Sequence, residues 1–392
     1  MSSAGSSAAR HDAIVVGAGI VGAACARALA RDGMRVVVLE ARHPASGATA
    51  AGMGHLVVMD DSPEQLALTA LSTARWRELA RELPPAVEHE QCGTIWIAAD
   101  DAQLGAVHAK HRLYAEHGIA SEVLGARELA ALEPNLRPGL AGGLLVPGDG
   151  VIYQPRATLW LLEQACAAGA TVRSACRVDR IDAHAVHCGG EVLRADVVVN
   201  TTGAEAPSLT PGLPIVPRKG HLAITDRYPG FVRHQLVELG YLTSAHTMTT
   251  ESVAFNVQPR TTHQVLVGSS RELVGWDASL NRRVLARMLA RAIEFMPALA
   301  GLSMIRTWTG FRPATPDKLP LIGAWPAIPG LWVAAGHEGL GITTSLGTAQ
   351  IIADLVTGRE PAIDATAFAP TRYTSSDPLR ATPETPRPTS AP

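Results

Sequence analysis

No Cys-x-x-Cys pair occurs in this chain, and its five cysteines are scattered at positions 25, 92, 166, 176 and 188. That spacing supports neither a zinc site, nor a cysteine-ligated cluster, nor a disulfide framework. It leads to an expectation of reduced, mostly buried thiols, no metal and a cytoplasmic setting. Charge of one sign is also lacking. The formal net charge is −2, so there is no basic footprint for nucleic acid or an anionic membrane. The most apolar early stretch, Ala13 to Ala30, is interrupted by Gly17, Gly19 and Gly22 and is a poor membrane span. Met1 to Arg10 has no apolar run of the signal-peptide kind. No internal repeat is found. A small molecule or a protein partner is what these absences leave.

Over 392 residues, 47% hydrophobic and 18% charged, the chain is expected to fold as two packed regions. Ala13-Ile14-Val15-Val16 reads as a buried parallel strand and Ile20–Asp32 as a helix stopped by Gly33. Arg35 to Leu39 reads as a second strand, closed by Glu40. This is a βαβ opening of ordinary size. The same grammar returns in the helix Arg156–Ala168, the strand Asp196–Asn200 ending in Thr201-Thr202-Gly203, the strand Leu331–Ala335 and the helix Thr344–Thr357. Between them, 220–268 alternates apolar and polar residues, as an antiparallel sheet with one wet face would, and Leu280 to Phe295 reads as a helix.

Four motifs carry chemistry. In Gly17-Ala18-Gly19-Ile20-Val21-Gly22, the first glycine permits a tight turn, the second lets the backbone approach a diphosphate, and the third lets helix and strand pack closely. Glu40 follows where a carboxylate accepts ribose hydroxyls. This motif does not separate FAD from NAD. The small-residue stretch Ala45 to Gly54 allows a chain to lie flat against a planar ligand, with Ser46 and Thr49 as hydrogen-bonding groups, and at this position favours flavin. In Trp308-Thr309-Gly310-Phe311-Arg312-Pro313, Arg312 either grips a substrate carboxylate in bidentate fashion or pairs with a structural carboxylate such as Asp317. Last comes the turn Gly336-His337-Glu338-Gly339-Leu340-Gly341-Ile342-Thr343, opening a second helix whose N-terminus can stabilise negative charge. His337 is read as either a structural histidine or a substrate contact.

In these motifs the chain, from about residue 14 to 367, resembles the D-amino-acid-oxidase-type flavoproteins, which include glycine oxidase and sarcosine oxidase. Residues 50–61, 219–227 and 308–312 are similar to the β-subunits of bacterial D-hydroxyproline dehydrogenases. The resemblance implies an α/β fold, with a Rossmann-like FAD-binding domain (11–85, 146–215, 308–368) and an inserted, mixed or antiparallel-sheet substrate domain (86–145, 216–307). Residues 1–10 and 370–392 are expected to be disordered tails. It implies non-covalent FAD, with Ile20 and Val21 by the diphosphate, Glu40 and Ala41 by the adenosine ribose, and Val178 by adenine. Ser46, Gly47, Thr49, Ala51, Gly52 and Met53 would line the flavin. Gly203 and the run His337, Glu338, Gly339, Leu340, Gly341, Ile342 and Thr343 would complete its surroundings. Arg312 would clamp a substrate carboxylate, with Gln258-Pro259-Arg260 and Val267-Gly268-Ser269 flanking the substrate. Tyr241 and His221 are candidates for orienting the amine. Glycine oxidase has an arginine where this chain has Gly339. The implied activity is hydride transfer from a small amino or imino acid, with electrons going to a partner subunit or chain, or else to oxygen. An NAD dehydrogenase and a non-catalytic FAD scaffold are the readings from further away, and neither accounts for Arg312 and the last turn together.

Overall fold

A computed structural model describes residues 11–240 and 251–373. They fall into two units: 11–50, 155–216 and 313–373 form one, and 51–154, 217–240 and 251–312 the other.

The first unit is built on a parallel sheet. Four-residue apolar runs such as Val36–Leu39 are buried throughout, as strands covered on both faces must be. His11–Val16 pairs in parallel with Val36–Leu39 on one side and with Glu191–Asn200 on the other. Thr171–Arg173 extends the sheet beyond Val36–Leu39, Leu331–Ala335 extends it beyond Glu191–Asn200, and Leu321–Ala324 closes that edge antiparallel. The helix Ile20–Arg31 ends at Asp32, and Gly33 follows with φ +86°, the left-handed geometry expected of a stop. The helix Gly341–Val356 begins three residues earlier than its sequence pattern suggests. Leu340 caps it, and the carbonyl of Leu340 accepts from both the N–H and the hydroxyl of Thr344.

The second unit carries an eight-stranded sheet in the order Met304–Ala314, Val216–Arg227, Gln264–Glu272, Glu251–Pro259, Gln235–Glu238, Thr94–Ala98, Gly142–Val146 and Glu122–Gly125. Apart from the parallel pair Gln235–Glu238 with Thr94–Ala98, the pairings described are antiparallel. Among the described residues of 220–268, the strands Glu251–Pro259 and Gln264–Glu272 do not show the expected wet face. Phe255 and Val257 lie under the helix Arg282–Phe295, where Phe255 stacks on Phe295 at 4.5 Å. On the opposite face Gln258 is fully buried with its amide bonded to Met53, and Leu222 and Leu266 close on Met53.

Two expectations, on the thiols and on the tail, are corrected, and the two units divide the chain differently from the expected domains. The thiols at 176 and 188 form a disulfide with Cα atoms 6.1 Å apart. Cys188 lies opposite Val178 in the hairpin Val178–Asp182/Ala185–Cys188, so the pairing comes from strand register and leaves no short-spacing signature. Segments 51–85 and 146–154 cluster with the second unit rather than the first. Val58 explains why: its N–H donates to Asp149 at 3.1 Å and its carbonyl accepts from Tyr114 at 3.1 Å. The expected tail is ordered at its start. Pro370–Tyr373 forms a turn in which Arg372 binds Asp317 and the carbonyls of Leu319 and Pro320. The remaining tail residues lie outside the described ones.

The charges near Val58 are buried. Lys110 pairs with Asp60 and lies 4.5 Å over the Trp96 ring. Asp149 is 1% exposed, and burial pushes its carboxyl up to about 7, against hydrogen bonds from Thr94 and Val58 and the charges of Lys110 and Arg77. A carboxyl raised on folding binds more protons in the folded state, so its contribution to stability falls as pH rises from the ordinary aspartate range to about 7. Asp149→Asn should therefore be more stable than the parent by a margin that grows across that window and is constant above it. Chemical denaturation at a series of pH values checks this; a margin independent of pH would contradict it.

Candidate functional site

In the first unit, the glycine turn is shaped by what a side chain would strike. Gly17 has φ +103°, and a Cβ there would meet Thr201 O and Oγ1, each at 3.1 Å. At Gly22 a Cβ would stand 2.0 Å from Gly17 O and 2.6 Å from Thr201 Oγ1. Both distances are closer than real Cβ contacts, so helix and strand approach as only glycine allows. Thr201 is a residue that the motif alone does not reveal. Its hydroxyl lies 2.8 Å from Val16 O and 3.0 Å from Gly17 O, tying the tip of Glu191–Asn200 to the turn.

Glu40 sits at the neighbouring strand end. One carboxylate oxygen accepts from Ala18 N–H and the other from Arg42 N–H, each at 2.8 Å. Each oxygen keeps a second lone pair for a further donor. Ala45 N–H donates to Ala18 O at 2.9 Å, which ties the following small-residue stretch to the turn. Ala45 and Gly47 take positive φ, 63° and 67°, and fold that stretch back so that Thr49 Oγ1 accepts from Ile20 N–H at 3.1 Å. Ala41 is exposed and Ser46 half-buried nearby.

The helices Ile20–Arg31 and Gly341–Val356 run parallel, side by side. At one end a Cβ on Gly341 would be 3.9 Å from Val21 Cγ2, and at the other Arg359 pairs with Asp32 at 2.5 Å. Neither N-terminus has a side-chain cap or an acid in its first turn. Two positive helix ends thus lie together, an arrangement that favours an anion beside them. At the C-terminal ends the guanidinium of Arg359 meets both Asp32 and Asp354.

His337 does not present its ring to solvent. It is 4% exposed, its Nε2 lies 3.0 Å from Thr348 Oγ1, and burial pushes it down to about 3. The neutral ring fastens the turn to its own helix, while Glu338 at φ 44° donates its N–H to Pro313 O at 2.9 Å. Of the turn, Gly339 is exposed, Leu340, Gly341 and Ile342 are half-buried, and Thr343 is buried. Val178 is buried at the start of its strand, and Gly203, with φ +62°, opens the turn after Glu191–Asn200.

In the second unit, three successive carbonyls are each held by a side chain. Trp308 Nε1 donates to Ala51 O at 3.3 Å, Gln154 Nε2 to Gly52 O at 2.8 Å, and Gln258 Nε2 to Met53 O at 2.8 Å. Gly310 fits because a Cβ there would lie 2.4 Å from Ala51 Cβ. Arg312 follows on the same strand, two residues on and so on the same face. Its Nη1 donates to Ser270 O at 2.9 Å. The Asp317 carboxylate is held by Arg372. Burial, with the Arg312 charge adding, pushes His55 down to about 4 despite its hydrogen bond with Gln258. His55 is therefore a neutral imidazole near the guanidinium. His221 is fully buried with both ring nitrogens engaged, by Ser270 Oγ and by Asn281 N–H. It is thus a structural residue rather than an amine contact. Tyr241 lies outside the described residues.

A family model described as FAD dependent oxidoreductase (DAO) matches residues 12–355. The chain belongs to this family. Glycine oxidase of Geobacillus kaustophilus is 28% identical over 380 residues, 93% of this chain and 97% of that protein. D-amino acid dehydrogenase of Methylobacterium sp. (strain 4-46) is 32% identical over 322 residues, 78% of this chain and 73% of its relative. The crystal structure of the Geobacillus kaustophilus glycine oxidase superposes with a TM-score of 0.84 at 27% identity, covering 93% of this chain and 99% of that one. The protein is an FAD-dependent oxidoreductase with a Rossmann-like FAD domain and a second sheet domain. Its residues fit the cofactor. Two adjoining helix N-termini with no acid in their first turns suit a diphosphate, and the carboxylate of Glu40, fixed by two N–H groups, suits a ribose.

Two outcomes follow. Gly22→Ala should lose bound flavin and stability together, because the added methyl meets backbone; purification with full flavin content and an unchanged melting temperature would contradict the packing argument. His337→Gln should leave the pH profile of activity unaltered from roughly pH 5 to 9, since the ring does not titrate there; a lost or shifted limb would show that His337 does titrate in turnover.

Proposed function

We propose that this enzyme oxidises a small D-amino acid or cyclic imino acid at its α-carbon, with cis-4-hydroxy-D-proline and D-proline the foremost candidates, and delivers the electrons to a partner subunit or chain. The observation that carries the reading is the guanidinium of Arg312, fixed by Ser270 O and near the neutral His55. The names of the relatives support an amino-acid substrate, and the D-amino acid dehydrogenase supports a dehydrogenase.

FAD, when bound, supplies the hydride acceptor. Gly17, Gly19, Ile20, Val21 and Gly22 would hold its diphosphate, Glu40 its ribose and Val178 its adenine, with Ala41 and Gly203 also against the cofactor. Ser46, Gly47, Thr49 and Ala51 to Met53 would line the flavin, together with the turn 337–343. Arg312 grips the substrate carboxylate by two parallel hydrogen bonds, which orients the Cα–H bond. Neutral His55 adds no second positive charge, so it neither competes with Arg312 for the carboxylate nor repels an ammonium substrate as it binds. Gly339 leaves the last turn without a cationic side chain, so the carboxylate is gripped by Arg312 alone.

A second reading, an oxidase that uses oxygen, is favoured by one observation. Glycine oxidase matches this chain over 97% of its length. Anaerobic mixing with cis-4-hydroxy-D-proline, D-proline, sarcosine, glycine and simple D-amino acids, followed by flavin absorbance, separates the readings. Rapid bleaching by the cyclic D-imino acids, with dye reduction and little peroxide in air, is expected. Bleaching by glycine or sarcosine with stoichiometric peroxide would move the enzyme to the oxidases. Flavin that none of them reduces would overturn the substrate class. Arg312→Ala should raise KM for the amino acid by roughly ten- to a hundredfold, the worth of a charge-assisted pair; an unchanged KM would remove Arg312 from carboxylate binding.

A further inference from the structure

Arg312 is seated, not merely present. Its guanidinium lies against the main chain of Gly220, where a Cβ would stand 2.2 Å from Nη1 and 2.8 Å from both Cζ and Nη2. In the plane of the group, Nη1 donates to the carbonyl of Ser270 at 2.9 Å. The Gly220 contact sets the tilt of the guanidinium, and the Ser270 bond sets its rotation within the plane. A bidentate grip on a planar carboxylate needs both fixed, to within about 10–20°.

The seat is itself held from behind. Ser270 Oγ accepts from the backbone N–H of His221 at 2.9 Å and lies 2.9 Å from His221 Nδ1. His221 Nε2 accepts from Asn281 N–H at 3.0 Å, so the proton of the neutral ring is on Nδ1, facing Ser270. Asn281 Nδ2 donates to Glu272 at 2.8 Å, and Glu272 lies 3.4 Å from Lys219 Nζ. Lys219, 1% exposed, reaches on to Asp277 Oδ2 at 3.3 Å and Ser279 O at 3.2 Å. Buried ions so tied fix the backbone around them, because breaking one contact strands a charge. Gly220 and Ser270 occupy the adjacent strands Val216–Arg227 and Gln264–Glu272, and this chain of contacts locks the two together at the level of Arg312.

We infer that Gly220 and the Ser270–His221 pair are positioning residues that form a preset seat for the Arg312 guanidinium and so determine how tightly the enzyme takes substrates carrying a carboxylate. This rests on the reading of Arg312 as the carboxylate holder. Glycine is required at 220 because the guanidinium occupies the space a side chain would fill.

A double-mutant cycle on the flavin-loaded enzyme tests it, using the amino acid that reduces the flavin fastest. Gly220→Ala should raise KM by about tenfold or more, with the change in KM rather than kcat, and should add nothing in an Arg312→Ala background. Ser270→Ala, which removes only the hydroxyl, should raise KM by about threefold and likewise add nothing to Arg312→Ala. Flavin content and melting temperature establish that each variant is folded; should Gly220→Ala not fold, the Ser270 cycle decides alone. If Arg312→Ala raises KM but the other substitutions leave it unchanged, or act additively with it, the seat is overturned and the role of Arg312 stands. If Arg312→Ala itself leaves KM unchanged, the carboxylate reading fails and the seat fails with it.

Discussion

The first unit depends on one close approach. Helix Ile20–Arg31 comes so near the end of His11–Val16 that Gly22 has only 2.0 Å between its absent Cβ and Gly17 O. That contact aims the helix N-terminus over the strand ends, where the Glu40 carboxylate and the Thr201 hydroxyl are already fixed by the same turn. The helix Gly341–Val356 packs beside it in the same direction, so the position of one N-terminus sets that of the other. Burial of the parallel strands supplies most of the driving force, while the glycines decide where it brings the elements to rest.

Much of this was legible because it is local. The glycine turn, the acid closing the second strand and the glycine stop at 33 are written in neighbouring residues, and the glycines' positive φ values follow from their lack of a side chain. What was not legible depends on register across strands. Cys176 and Cys188 meet because a hairpin sets Cys188 opposite Val178. Gln258, Gln154 and Trp308 converge on three consecutive carbonyls from three distant parts of the chain. Ser270 and Gly220 matter only because Arg312 lies between the strands that carry them. His337 is the reverse case: a motif marked it and left a structural and a substrate-contact reading open, and only the fold shows its ring turned inward to Thr348.

The second unit places its polar side chains where an ordinary one-faced sheet would have apolar ones. Gln258, Asn256 and Ser270 are buried on strands whose other face packs under the helix Arg282–Phe295. Each buried amide or hydroxyl needs a partner, and the partners are specific: Met53 O for Gln258, His221 for Ser270. These two bonds resist sliding of the strands, since a one-residue slip would turn each group to the wrong face. That rigidity extends to the carbonyl of Ser270, on which Arg312 rests.

The paired helices of the first unit carry one more implication. With two positive ends together, the stability of this unit and its affinity for a dianionic cofactor are thermodynamically linked. Arg359, bridging Asp32 and Asp354 at the far ends, resists splaying only there. A cell short of flavin would therefore accumulate not only inactive enzyme but enzyme whose helix starts open more readily, exposing it to proteolysis at the place where the cofactor would have protected it.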